Sequence, residues 1–282
     1  MASLRVEHTD DAATAMAVAG DYLAADPVGL NVIWSIMSQR ADSGAPGRYW
    51  LASRGGAVVG IVMESPPGHH AAIAPMPREC GDELAAAISE EGHRLSGAAG
   101  EAFATSAFAG AWVERVRAAA IPFDAQRLYA LGRLVLPEAV PGNLRRADPS
   151  ERKQIIEWWA AFQVETGLPE DDVSPAVDLG LSTGRLFVWD DAGARCVARV
   201  TEPLGGVSRI GAVFTPSRWR RRGYAAACVG ALCDWVRRED RANSILYAQL
   251  GNPSSNGIYR RLGFRPVSEV LAYRFSDVTD GE

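Results

Sequence analysis

Two short segments in the second half of the chain combine residue types and spacings that suit chemistry on an anion. The first follows Ile210-Gly211-Ala212-Val213-Phe214, an apolar run that reads as a strand and is broken by Thr215-Pro216. Arg218-Trp219-Arg220-Arg221-Arg222-Gly223-Tyr224-Ala225 comes next. A helix is predicted from there to about Arg238, with Ala225, Val229, Leu232, Cys233 and Val236 on one face. Amides at a helix start lack intrahelical partners and carry the positive end of the dipole. Gly223 has no side chain to keep a ligand away from the backbone, and the arginines add charge and forked donors. The loop is neither Gly-Lys-Ser/Thr nor a GxGxxG turn. Taken alone, it also fits a solvated arginine cluster beside an ordinary turn.

The second segment follows the strand-like Ile245 to Leu250 and runs Gly251-Asn252-Pro253-Ser254-Ser255-Asn256-Gly257-Ile258-Tyr259-Arg260-Arg261-Leu262-Gly263-Phe264. Asn252 suits an N-cap, Pro253 the first helical position and Gly263 the residue after the last turn. Asn252, Ser255 and Tyr259 then share one face, while Ile258 and Leu262 form an apolar pair for the core. A polar stripe ending in tyrosine serves packing poorly and a ligand well.

The elements around these segments repeat. Trp50 to Ser53, Gly55-Gly56 and Val58 to Val62 read as strand, turn, strand. Phe187 to Trp189, Asp190 to Gly193 and Cys196 to Val200 repeat that layout half a chain later. Asp148-Pro149-Ser150-Glu151 has the form of a capping box, and Ile155, Trp159 and Phe162 follow at helical spacing. Each half ends in an extended segment, 123–136 and 264–275. The 282 residues suit two domains, predicted at 1–138 and 143–282, with 139–142 as linker.

Composition narrows the chemistry. Lys+Arg 29 against Asp+Glu 34 gives a net charge of -5, which disfavours a general nucleic-acid binder. No apolar run is long enough for a membrane span, and MASLRVEHTDD lacks the pattern of a secretory signal, so a cytoplasmic protein is expected. The four histidines, His8, His69, His70 and His93, all precede residue 100, which removes Ser-His, Cys-His and most zinc catalysis from the second half. Cys80, Cys196, Cys228 and Cys233 show no ligand spacing, and no metal site is expected.

Together the two segments resemble the GCN5-related N-acetyltransferase (GNAT) family. Its acyl-CoA loop, Arg/Gln-x-x-Gly-x-Gly/Ala, is matched by Arg220-Arg221-Arg222-Gly223-Tyr224-Ala225. Its Asn-x-x-Ala/Ser-x-x-x-Tyr motif, followed by Gly-Phe, is matched by Asn252, Ser255, Tyr259 and Gly263-Phe264. The clear resemblance covers about 185–275. The first half looks like a degenerate copy: Ala74-Pro75-Met76-Pro77-Arg78-Glu79-Cys80-Gly81 stands where the loop falls, and no Asn-to-Tyr helix follows. The resemblance implies an α/β chain of two tandem acyl-CoA N-acyltransferase-like domains, each a mixed, mostly antiparallel sheet flanked by helices, with only the second binding acetyl-CoA.

In that second domain the resemblance implies that the backbone of Val213, Phe214 and Thr215 pairs with the pantetheine arm. Amides from Arg221 through Arg222, Gly223, Tyr224 and Ala225 to Ala226 hold the pyrophosphate, and one of Arg218, Arg220 or Arg222 reaches the 3′-phosphate. Asn252, Ser255 and Asn256 are expected beside the cofactor arm. Tyr259 directs its hydroxyl at the thioester sulfur as general acid, and the Val213 N–H stabilises the oxyanion. The chain departs from the family pattern four residues before Val213, where a glutamate base is common and Arg209 stands. Glu202 is the candidate base, and Glu165 a candidate contact for the substrate's positive charge. The expected reaction is direct transfer of acetyl to the primary amine of a small molecule or peptide by a monomer or homodimer. The competing expectations are a non-catalytic acyl-CoA sensor, a longer acyl chain and a hydroxyl acceptor.

Overall fold

The computed structural model describes residues 3–167 and 172–277, which divide into two compact units. The first holds residues up to Leu128 together with the C-terminal segment from Val267, and the second runs from Tyr129 to Pro266. The predicted linker, 139–142, lies inside the second unit: Val140 packs on its core, and the Trp189 indole N–H donates to the Pro141 carbonyl at 2.8 Å.

In chain order the first unit contains β1 (Leu4–Thr9), α1 (Ala12–Ala25), α2 (Asn31–Ser43), β2 (Arg48–Arg54), β3 (Ala57–Glu64), β4 (Ala71–Ile73), α3 (Arg78–Glu90), β5 (Gly97–Glu101), α4 (Ala102–Val116) and most of β6 (Ala118–Leu131). The strands run β1-β2-β3-β4-β5. Only the β4–β5 pair is parallel. Apolar residues of β2 and β3 alternate between two clusters, so the sheet is covered on both faces. Trp50 and Val62 pack with α3 and α4, Leu51 and Ile61 with α1 and α2.

The second unit follows the same plan. After β7 (Asn143–Arg146) come α5 (Arg152–Thr166), α6 (Ser174–Ser182), β8 (Leu186–Asp190), β9 (Ala194–Val200), β10 (Val207–Phe214), α7 (Tyr224–Trp235), β11 (Asn243–Gln249), α8 (Pro253–Arg261) and the start of β12 (Phe264–Asp277). Strand order is β11-β10-β9-β8-β7, with only β10–β11 parallel. Cys196, Ala198, Val200 and Ile210 face α7 and α8, while Val188 and Val197 face α5 and α6. The expected capping box is present: Asp148 accepts from Ser150 N, and Glu151 accepts from Asp148 N at 2.8 Å. A crossover helix connects the parallel strands in each unit, α3 in one and α7 in the other, as parallel pairing requires.

The end of β12 belongs to the first unit, where Val270–Arg274 pair antiparallel with Gly97–Glu101 of β5. That strand and β6 both cross the boundary between the units, so the compact units do not follow the chain midpoint.

Candidate active site

The site is built where β10 and β11 part. Their parallel ladder pairs Val207 through Ile210 with Asn243 through Leu246 and stops there, although both strands continue. On the other side β10 stays paired with β9, but with a bulge: Gly211 faces Arg199, Phe214 faces Val197, and Ala212 and Val213 together oppose Ala198. A bulge bends and twists its strand away from its neighbour. Ala212 sits at φ +49, a left-handed conformation costing an alanine about 1–2 kcal/mol. Backbone strain of this kind concentrates at functional sites. The result is a stretch of β10, Gly211–Phe214, with a strand on one edge and a gap on the other.

Beyond the gap, Ser217–Trp219 form one tight turn, Arg221 takes φ +61 and Gly223 φ +84, and α7 begins. The first helical bond at this end runs from Ala227 N to Gly223 O at 3.0 Å, and no side chain caps the start. The amides of Tyr224, Ala225 and Ala226 therefore have no intrahelical partner and are open to solvent or a ligand. A Cβ on Gly223 would lie 3.0 Å from Val140 Cγ2 in a conformation L residues rarely adopt, so the position calls for glycine twice over.

The arginines divide into a clamp and a charged rim. Arg220 donates through Nε to the Thr215 carbonyl at 2.8 Å and through Nη2 to both Glu165 oxygens, tying the loop to the end of β10 and to α5. Glu165, the candidate contact for a cationic substrate, is paired with Arg220 in an exposed ion pair. Arg195, Arg222 and Arg218 gather at 3.8, 5.1 and 5.9 Å from the Trp219 ring centre, a cation–π cluster. Arg218, Arg221 and Arg222 form no ion pair among the described residues, so the rim keeps an uncompensated positive field. The Tyr224 hydroxyl donates to Asp191 Oδ2 at 2.6 Å and anchors the helix start to the β8–β9 turn.

The Asn-to-Tyr helix forms as its sequence dictates: Asn252 Oδ1 accepts from Ser255 N at 3.0 Å, and Pro253 follows the cap. Asn256, expected beside the cofactor arm, is fully employed inside the protein. Its Oδ1 accepts from the Tyr129 hydroxyl at 2.7 Å, and its Nδ2 donates to the carbonyls of Gln249 and Asn252 at 2.8 and 2.7 Å. Tyr129 precedes its partner by more than a hundred residues and had no local signal in the sequence. Tyr129→Phe is expected to lower stability by about 1–2 kcal/mol, because it strands a buried acceptor. Urea unfolding checks this, and an unchanged midpoint would mean that Asn256 finds another donor.

Tyr259 is buried between Tyr129 and Phe264, with ring centres 6.4 and 5.9 Å away, in the apolar cluster that Val213 also packs against. Its hydroxyl has no hydrogen-bond partner among the described residues. Burial pushes its pKa up, so the proton stays on at neutral pH. Glu202 is not brought to this place. Thr201 N donates to Arg209 O at 3.0 Å, which sets Glu202 beside the beginning of β10, roughly 15 Å of strand away from Val213. There it pairs with Arg185, which also donates to Asp240 Oδ2 at 2.6 Å. Neither Glu nor Asp occurs in β9, β10 or β11.

Two polar atoms beside the loop, Thr215 Oγ1 and Trp219 Nε1, are buried with no partner. With the open edge of β10 and the unpaired helix-start amides, they fit a ligand that carries amide groups and phosphates. The pantetheine arm and pyrophosphate of coenzyme A have that make-up.

Known proteins share this fold. Residues 190–272 match the family model described as FR47-like protein. A GNAT-family acetyltransferase from Colwellia psychrerythraea superposes with a TM-score of 0.60 at 13% identity, covering 96% of this chain and 100% of that one. A GCN5-related N-acetyltransferase from Sphaerobacter thermophilus gives 0.60 at 14%, covering 98% and 97%. A tandem GNAT protein from the clavulanic acid biosynthesis pathway gives 0.56 at 14%, covering 99% and 100%. No curated protein matches this chain. The chain has the GNAT fold in tandem arrangement.

Proposed function

We propose that this protein is an acyl-CoA-dependent N-acyltransferase whose second unit transfers an acetyl group to a primary amine. The observation that carries the reading is the gap between β10 and β11, flanked by the bulge at Ala212–Val213 and the Gly223 helix start, with Tyr259 in the cluster that Val213 packs against. A thioester supplies an activated carbonyl whose leaving thiolate needs a proton. The β10 edge orients the donor, the loop amides and rim arginines hold its phosphates, and the Val213 N–H faces the developing oxyanion. As the amine forms the new C–N bond and the C–S bond breaks, Tyr259 protonates the sulfur. With strands β9 to β11 free of carboxylates, the amine's own proton passes to water.

The degenerate first unit supports neither role. Between β4 and α3 it has only Ala74–Pro77, and its α4 is an alanine-rich helix packed through Phe108 and Trp112. Thiol release from acetyl-CoA across a panel of amines tests the activity. Turnover with any of them excludes a passive acyl-CoA sensor, and the absence of turnover with all of them favours one. Glu202→Gln is expected to change kcat/KM by less than about 3-fold, since it alters an exposed ion pair at the far end of the strand. A loss of about 100-fold with a shifted pH profile would restore Glu202 as the base.

A further inference from the structure

The face of β9 and β10 that meets α5 and α6 carries two half-buried arginines, with open space beside Gly211. Arg199 lies between Leu186 on β8 and Gly211 on β10, on the same face as Val197. Its Nε is buried without a hydrogen-bond partner, and no carboxylate pairs with it among the described residues. Burial alone lowers its pKa, with no acidic neighbour to offset the cost. Arg209 stands two residues before Gly211 and so points to the same side. It is half-buried; desolvation and the charge of Arg199 act against its own charge, while Tyr247 favours it. Gly211 completes the floor: a Cβ there would meet nothing within 4 Å. Directly beyond Gly211 the β10–β11 ladder has ended, so this space opens onto the gap.

Tyr259, Tyr224 and α7 lie on the opposite face of these strands. A donor held by those groups leaves the α5 face as the approach for the acceptor. Two guanidiniums on one face repel a second cation and favour an anion, and Arg199, whose buried Nε has no partner, gains most from one. Guanidinium forks match carboxylate and phosphate oxygens. The same charges disfavour the ammonium form of a nearby amine, and it is the free base that attacks the carbonyl.

Resting on the acyltransferase reading, we propose that this recess is the acceptor subsite and that the acceptor is a small amine bearing a carboxylate or phosphate, held by Arg199. Polycations and lysine side chains on basic peptides are the wrong class for it.

The test is calorimetric titration of the full chain, saturated with CoA, using matched probes: β-alanine against β-alaninamide, O-phosphoethanolamine against ethanolamine, and spermidine. At least one anionic probe is expected to bind about 10-fold or more tightly than its neutral partner, and which pair does so separates carboxylate from phosphate. Arg199→Gln should remove that preference, Arg199→Lys should restore part of it, and CoA affinity should stay within about 2-fold in both, which also reports folding. The inference is overturned if the neutral probes or spermidine bind as well as the anionic ones, if no anionic probe binds, or if Arg199→Gln keeps the preference. Failure of CoA itself to bind would overturn the acyltransferase reading and this inference with it, whereas CoA binding with the opposite acceptor preference removes this inference alone.

Discussion

Gly223→Glu is expected to bring acyl-CoA binding below detection in a protein that still folds. The residue stands at φ +84 where α7 begins, beside amides that have no partner of their own. A glutamate there places a carboxylate against the pyrophosphate it should attract. Two unit charges about 4 Å apart at a protein surface interact by about 4 kcal/mol, enough for about a thousand-fold loss. Gly223→Ala separates charge from backbone strain: the left-handed conformation costs it about 1–2 kcal/mol of stability, while the phosphate site keeps its charge. Titration of both variants with acetyl-CoA, alongside their unfolding curves, reads the two effects apart. A folded Gly223→Glu variant with wild-type affinity would mean that this loop does not hold phosphates.

Tyr259→Phe should lower kcat by about 100-fold or more while leaving CoA affinity within about 2-fold. Phenylalanine preserves the packing against Tyr129 and Phe264 and removes only the hydroxyl, which has no structural bond to lose. Because burial raises the Tyr259 pKa above the ordinary phenol value, the group stays protonated through neutral and mildly alkaline pH. The wild-type rate should therefore show no loss from tyrosine ionisation below about pH 10. An unchanged kcat in the variant would reject the proton-donor role.

The parts of the site legible in the sequence are those made by short stretches of chain. Arg220 to Gly223 announce a loop and a helix start, and Asn252-Pro253 announces a capped helix carrying Tyr259, because caps and turns are set by neighbouring residues. The hairpins β2–β3 and β8–β9 were visible for the same reason. What long-range pairing decides was not visible. Nothing near Val270 shows that it pairs with Glu101, or near Asn256 that Tyr129 will occupy it. Glu202 illustrates the point: it follows a strand leading to the site, but antiparallel register sets it beside the wrong end of β10. The opening between β10 and β11 likewise depends on where a ladder stops, which neither strand records alone.

The most direct test of the central claim is titration calorimetry of the intact chain with acetyl-CoA, CoA and longer acyl-CoAs. Saturable micromolar binding at one site per chain is the predicted result, with the acyl preference narrowing the donor. No saturable binding would return Arg218, Arg221 and Arg222 to a solvated basic patch and contradict the account.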